Sequence, residues 1–264
     1  MKVAPGEPVR LEEIDPGFRG DLRKRDDEVA ERTEAALEEM SDLQERLYAE
    51  GEQSLLIVLQ AIDTGGKDGT IKHVMRGLNP AGVSVVGFKQ PSRKELAHDF
   101  LWRVHPHAPA KGHIAVFNRS HYEDVLVVRV HDLVPEAVWS RRYDQINAFE
   151  DLLAATGTRI LKFFLYISKD EQKARLQRRL DRPDKHWKFD IGDLRERALW
   201  DDYIEAFEVA LSRTSTEIAP WHIIPANRKW FRNLTIAEII AETLREMDPQ
   251  FPVPDFNPAA VVIE

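Results

Sequence analysis

No cysteine occurs among the 264 residues, which excludes disulfides, thiolate metal sites and cysteine nucleophiles. No run of about 18 apolar residues is present either, so nothing reads as a membrane span. The opening "MKVAPGEPVRLEEIDPG" has no apolar h-region, and the expectation is a soluble, cytoplasmic protein with no membrane partner. Positive charge is in deficit, with a formal net charge of −8. The surface as a whole therefore does not suit nucleic acid, and any polyanionic partner must be met by a local concentration of cations. What is abundant is apolar mass: 43% hydrophobic residues are enough to bury one large core, and a single domain over 1–264 is expected.

The pattern along the chain is an alternation. Short β-branched or aromatic runs, "SLLIVLQAI" (54–62), "VSVVGF" (83–88), "GHIAVFN" (112–118), "RILKFFLYIS" (159–168) and "WHIIPAN" (221–227), read as five buried strands. Helical patterns separate them. "SRKELAHDFLWRV" opens on a capping box of Ser92 and Glu95, and the helix starting near Pro135 has Gly157 in a place that suits the residue after its C-cap. "LRERALWDDYIEAFEVALSRTS" and "NLTIAEIIAETLREM" read as two more helices. This order specifies an α/β fold, a three-layer α/β/α sandwich on a mainly parallel five-stranded sheet. An N-terminal arm and long helix occupy 1–53, and a Pro-rich tail 248–264; the first 26 residues and the tail are expected to be surface arms.

The first strand leads into "AIDTGGKDGT" (61–70). A phosphate loop of the form G-x-x-x-x-G-K-[ST] has Gly where Ala61 stands and Ser or Thr where Asp68 stands. Gly65, Gly66 and Gly69 still supply a tight backbone between a strand and a helix, and Lys67 a mobile cation. Thr64, Asp68 and Thr70 complete the candidate phosphate- or nucleotide-binding set, although an ordinary strand-to-helix turn also favours Gly and Asp. Asp63 inside such a loop would be repelled by phosphate unless a metal intervenes, which suggests a Mg²⁺ bridge, with Mn²⁺ as a substitute. The segment "AIDTGGK" is similar to the G-x-D-x-x-G-K loop of thymidylate-kinase-like nucleotide kinases.

The third strand ends in "FNRSHYEDV" (117–125). Asn118 occupies the place where an Asp often positions Mg²⁺, Arg119 can clamp a phosphate through two donors, and His121 is placed to touch ligand. Glu123 and Asp124 are candidates for metal binding together with Asp63; the alternative is an acidic pair at a helix start. The most basic stretch, "KARLQRRLDRPDKHWKFD" (173–190), gathers Lys173, Arg175, Arg178, Arg179, Arg182, Lys185 and Lys188. Within 170–193 it reads as a lid that closes over a phosphate chain, against the alternative of a solvated basic face. Asn227, Arg228 and Lys229 lie where the last strand ends, a place where open α/β sheets bind ligands.

Taken together, "DTGGKDGT", "FNRSHYEDV", "RLDRPDKHWKF", "WDDYIEAFEVALSRTST" and "APWHIIPANRKWFR" resemble the successive motifs of the polyphosphate kinase 2 family, from about residue 55 to 247. The resemblance implies Mg²⁺-dependent, reversible transfer of a terminal phosphoryl group between inorganic polyphosphate and an adenine or other purine nucleotide. It also implies a P-loop kinase fold of the thymidylate kinase type. By motif, Asp63 and Lys67 fall on the phosphate loop, Asn118 and Arg119 on the second motif, and Arg178 and Arg182 on the lid. The N-R-S-H-Y-E-D form resembles the subgroup that phosphorylates AMP as well as ADP, which makes Glu123 and Asp124 candidates for orienting the acceptor. Family members usually associate, so a homo-oligomer, a dimer or tetramer, is expected. An ATP-dependent nucleoside monophosphate kinase and a non-catalytic polyphosphate or nucleotide sensor are the alternatives.

Overall fold

The computed structural model describes residues 1–263. Helix α1 (Asp27–Glu50) leads into β1 (Ser54–Gln60), α2 (Lys67–Val74), β2 (Val83–Gly87), α3 (Arg93–Leu96) and β3 (Ile114–Asn118). Then follow α4 (Val127–Val130), α5 (Glu136–Ala155), β4 (Thr158–Tyr166), α6 (Lys169–Leu180), α7 (Gly192–Ala198), α8 (Trp200–Thr214), β5 (Trp221–Pro225) and α9 (Lys229–Met247). The five apolar runs all become strands, in the order β2-β3-β1-β4-β5 with every pairing parallel. Every residue of β1 is buried, as expected for a central parallel strand covered on both faces. Helix α1 packs on α9, and α5 on α8, which gives the three layers.

The strand order positions the site. From β1 the chain crosses to β2 on one side, and after β3 it crosses back over β1 to β4 on the other. A crevice opens outside the C-terminal ends of the strands where the winding reverses. Residues 61–66, 119–124 and the start of α6 all leave the sheet there.

Several expectations are corrected. The capping box forms, since Ser92 Oγ accepts from the Glu95 amide while the Ser92 amide donates to the Glu95 carboxylate. The helix it opens lasts one turn, because Asp99 Oδ1 accepts from the amides of Leu101 and Trp102 at 3.0 and 3.1 Å and so competes with helical bonding. The helix expected from 194 to 215 is two helices, α7 and α8, broken at Leu199. The N-terminal segment is not a free arm: Val3, Val9 and Leu11 are buried. The Val3 amide donates to Trp221 O and the Ile223 amide to Met1 O, both at 2.8 Å. Among the described residues no helix is long and apolar enough to cross a membrane.

Candidate active site

The loop after β1 is shaped from behind by α6. Gln172 Nε2 donates to Asp63 O at 3.0 Å, and Arg175 Nη1 donates to Thr64 O and Gly65 O at 3.0 and 2.9 Å. In a trans peptide the N–H lies opposite the C=O. Drawing back the carbonyls of Asp63 and Gly65 therefore turns the amides of Thr64 and Gly66 toward the cleft that both residues line. The first amides of α2 have no acceptor within the helix and add to this donor set. Gly66 has φ of 107°, and a side chain there would strike the Arg232 guanidinium, so only glycine fits. Lys67 is 8% exposed and its Nζ donates to Ala61 O at 2.9 Å. Burial, reinforced by Arg119, lowers its pKa, while Asp63, Glu123 and Asp68 oppose the shift.

Arg119 is the hinge of the arrangement. It adopts a left-handed φ of 63°, and its amide donates to Leu59 O at 3.1 Å. Its Nη2 lies 2.6 Å from Asp63 Oδ1 and its Nη1 3.9 Å from Glu123 Oε2. Burial works against the Arg119 charge, but Glu123 and Asp63 outweigh it and raise the pKa, which keeps the guanidinium ionised. Glu123 is pushed upward by burial, with Arg119 and Lys67 opposing. Asn118 Nδ2 donates to Asp68 Oδ1 at 2.7 Å, and Lys188 Nζ lies 3.8 Å from Asp68 Oδ2, so the basic segment reaches the phosphate loop.

Three sequence expectations are redirected. Asp124 turns to Arg142 Nη1 at 2.9 Å, outside the cleft, and burial raises its pKa to about 6 in spite of that partner. Asp63, Glu123 and Asp124 accordingly do not converge, and no group of three or more His, Asp or Glu able to hold a metal occurs among the described residues. His121 lies in the interior, its Nε2 3.3 Å from Glu150 Oε1. The same Glu150 accepts from Tyr122 Oη at 2.8 Å and, through Oε2, from Lys162 Nζ at 2.6 Å, so His121 supports the second motif from below. Thr70 is fully buried and spends its hydroxyl on Gly66 O at 3.2 Å.

Two cavities meet at this point. The larger, of about 780 Å³, is lined by residues 63–69, Asn118 and Arg119 together with Lys89, Arg175, Arg178, Arg179, Arg182, Lys185, Lys188, Lys229 and Arg232. The smaller, of about 450 Å³, is lined by Asp63, Arg119, Glu123, Asp190, Asp193 and Glu196, with His131, Tyr203, Leu126, Val127 and Phe207. One is therefore cationic and the other acidic and partly apolar, and both include Asp63 and Arg119. Of the three residues expected after β5, Lys229 lines the larger cavity, whereas Asn227 Oδ1 accepts from the Ser168 amide and Arg228 Nε donates to Gly17 O. Arg232 was not singled out by the sequence. It is 1% exposed, its Nη1 has no partner, and burial followed by Arg175 brings its pKa down to about 10. Its place in "NRKWFR", beside a strand end, is the signal that could have marked it.

Residues 23–252 match the family model described as polyphosphate kinase 2. The chain belongs to the polyphosphate kinase 2 family. It is 51% identical over 263 residues to the AMP/ADP-polyphosphate phosphotransferase of Meiothermus ruber, covering 100% of this chain and 98% of that one. It is 44% identical to the ADP-polyphosphate phosphotransferase of Rhodopseudomonas palustris, covering 96% and 91%. The crystal structure of polyphosphate kinase 2 from Arthrobacter aurescens TC1 superposes with a TM-score of 0.93 at 44% identity, covering 98% of this chain and 92% of that one. Polyphosphate kinase 2 membership makes the protein an enzyme with a P-loop kinase-like fold.

Proposed function

We propose that the protein transfers the terminal phosphoryl group of inorganic polyphosphate to AMP or ADP, reversibly. One observation carries this reading: a cationic cavity and an acidic one share the Asp63–Arg119 pair. Polyphosphate is a linear polyanion without base or ribose, so the donor needs cations alone, and the larger cavity supplies them. The acidic cavity takes the nucleoside, whose ribose hydroxyls and exocyclic amine donate to carboxylates while Leu126, Val127 and Phe207 cover apolar surface. Lys67 lines only the cationic cavity and therefore holds the donor chain.

Phosphoryl transfer depends on alignment and on neutralising the equatorial oxygens. Arg119 meets that need, because its charge is maintained by two carboxylates and its position spans both cavities. The amides of Thr64 and Gly66 and the cation of Lys67 hold the donor side. Arg178, Arg182 and Lys185 neutralise the chain beyond the reacting group. Mg²⁺, or Mn²⁺ in its place, is bound by one or two carboxylates plus phosphate oxygens and water. Asp63 fits that role, since Arg119 occupies only its Oδ1; the ion would supply further neutralisation of the phosphates. A cytoplasmic dimer or tetramer completes the reading, supported by exposed apolar side chains such as Leu133, Val138 and Leu152.

The test is to incubate purified protein and Mg²⁺ with AMP or ADP and either polyphosphate or ATP. The expected outcome is ADP from AMP and ATP from ADP when polyphosphate is the donor. Turnover with ATP alone would replace this reading by an ATP-dependent monophosphate kinase, and binding without turnover by a sensor.

A further inference from the structure

Helix α6 presents its donors to three consecutive carbonyls of the phosphate loop, and one of those donors is tied to a second helix. Gln172 is 1% exposed. Its planar amide donates through Nε2 to Asp63 O at 3.0 Å and accepts through Oε1 from Arg197 Nη1 at 2.8 Å. Arg197 also donates to Lys169 O at 2.7 Å, so α7 is fastened to the start of α6 by one guanidinium.

Helix α7 is held on its other sides as well. Glu196 accepts from Tyr203 Oη at 2.6 Å and faces His131 Nε2 at 3.0 Å, on the wall of the acidic cavity. Asp193 accepts from Arg179 Nη1 at 3.0 Å and lines both cavities. A displacement of α7 therefore moves a wall shared by the two cavities. Through the Arg197–Gln172 bond it also pulls on the Asp63 peptide, whose carbonyl accepts from Gln172 Nε2 at 3.0 Å.

We propose that Gln172 and Arg197 are positioning residues that transmit the placement of α7 to Asp63, so that the wall and the phosphate loop reach their reactive arrangement together. The proposal rests on the polyphosphate-dependent reading above. A charge-assisted bond to a buried amide is strong enough to do this, and a shift of about 1 Å at a reacting group lowers rate on the order of a hundredfold.

The experiment measures kcat and both KM values for ATP formation from polyphosphate and ADP. The variants are Gln172→Met, Gln172→Glu, Arg197→Met, Arg197→Lys and the double Gln172→Met/Arg197→Met. Wild-type turnover is the control: its absence overturns the underlying reading and the proposal with it. With the wild type active, Gln172→Met, Gln172→Glu and Arg197→Met are each expected to lower kcat roughly 10- to 100-fold with both KM values within about threefold. The double variant is expected to be no worse than about threefold below the weaker single, because both changes cut one connection. Arg197→Lys, which keeps a donor, restores at least about a third of kcat. Hydrogen exchange at the loop amides of residues 64–66 rises in Arg197→Met, a residue remote from the loop, and this readout is independent of catalysis. Wild-type kcat in folded Arg197→Met, losses that multiply in the double variant, or unchanged loop exchange would each overturn the proposal while leaving the function intact.

Discussion

Arg119 Nη2 lies 2.6 Å from Asp63 Oδ1 on the seam between a cationic and an acidic cavity. The pair joins two segments far apart in sequence, and without it Asp63 and Glu123 would face incoming phosphates as unneutralised carboxylates. Arg119→Ala is expected to lower kcat for polyphosphate-dependent ATP formation about 10²- to 10³-fold. Arg119→Lys keeps a charge but not the planar fork and should still lose at least about tenfold. Steady-state assays check this, and a kcat near wild type in Arg119→Ala would remove Arg119 from the reaction.

Lys67 is the next most exacting position. Its amine rests on Ala61 O, the first carbonyl after β1, and its lowered pKa reflects a cation held ready at the expense of hydration. Lys67→Ala should reduce turnover by about three orders of magnitude while far-UV circular dichroism and the melting temperature stay close to wild type. Near-normal turnover would reassign the donor side of the cleft.

The basic segment after α6 acts differently. Arg182, exposed, and Lys185, half-exposed, both pair with the exposed Asp184, so their contribution to folding is small. Arg182→Ala and Lys185→Ala are each expected to raise KM for polyphosphate roughly three- to tenfold, with a shallower dependence on salt. KM for the nucleotide should not change; a rise there instead would place the segment over the acceptor.

Away from the site, His222 sets a dependence of stability on pH. Burial, followed by the N-terminal ammonium and Lys2, lowers its pKa from the ordinary 6.5 to about 4, and its Nδ1 is buried without a partner. Between those values the unfolded chain binds more protons than the folded one, so stability is fully present above pH 6.5 and falls as pH drops toward 4. Allowing for partial exposure, the loss is about 2 kcal/mol. Urea unfolding of wild type and His222→Gln at pH 4, 5, 6 and 7 checks it: the variant should show a shallower decline in midpoint, and parallel declines would exclude His222 as the cause.

The strands were readable because buried parallel strands are nearly continuous apolar runs, and Ser92 with Glu95, or Gly157 at φ 95°, announce helix boundaries by local chemistry. The end of α3 was not readable, since it depends on whether Asp99 captures nearby amides. Within the site, Asp63, Lys67 and Arg119 stood out by motif. Arg175 and Arg232 did not stand apart from the other cations, because what separates a buried arginine from a solvated one is the set of carbonyls and neighbours it finds across the fold. His121 was misplaced for the same reason: Glu150, which faces its Nε2 in the interior, belongs to another element. The two cavities and their opposite charge arise where the β1–α2 loop meets α6 and α9 on one side and α7 and α8 on the other, for which no periodicity codes.

The pairing of the first residues with β5 has a consequence unrelated to phosphate. A five-stranded open sheet has two lateral margins, and on the β5 side the amides of Val3 and Ile223 are taken up by bonds to and from the N-terminal segment, with Lys2 opposite His222. Left bare, that margin would present a row of unsatisfied donors and acceptors to any extended chain nearby. The opening tripeptide thus works as a selvedge, taking up edge groups of β5 at Trp221 and Ile223 so that they are not offered to a stranger's strand.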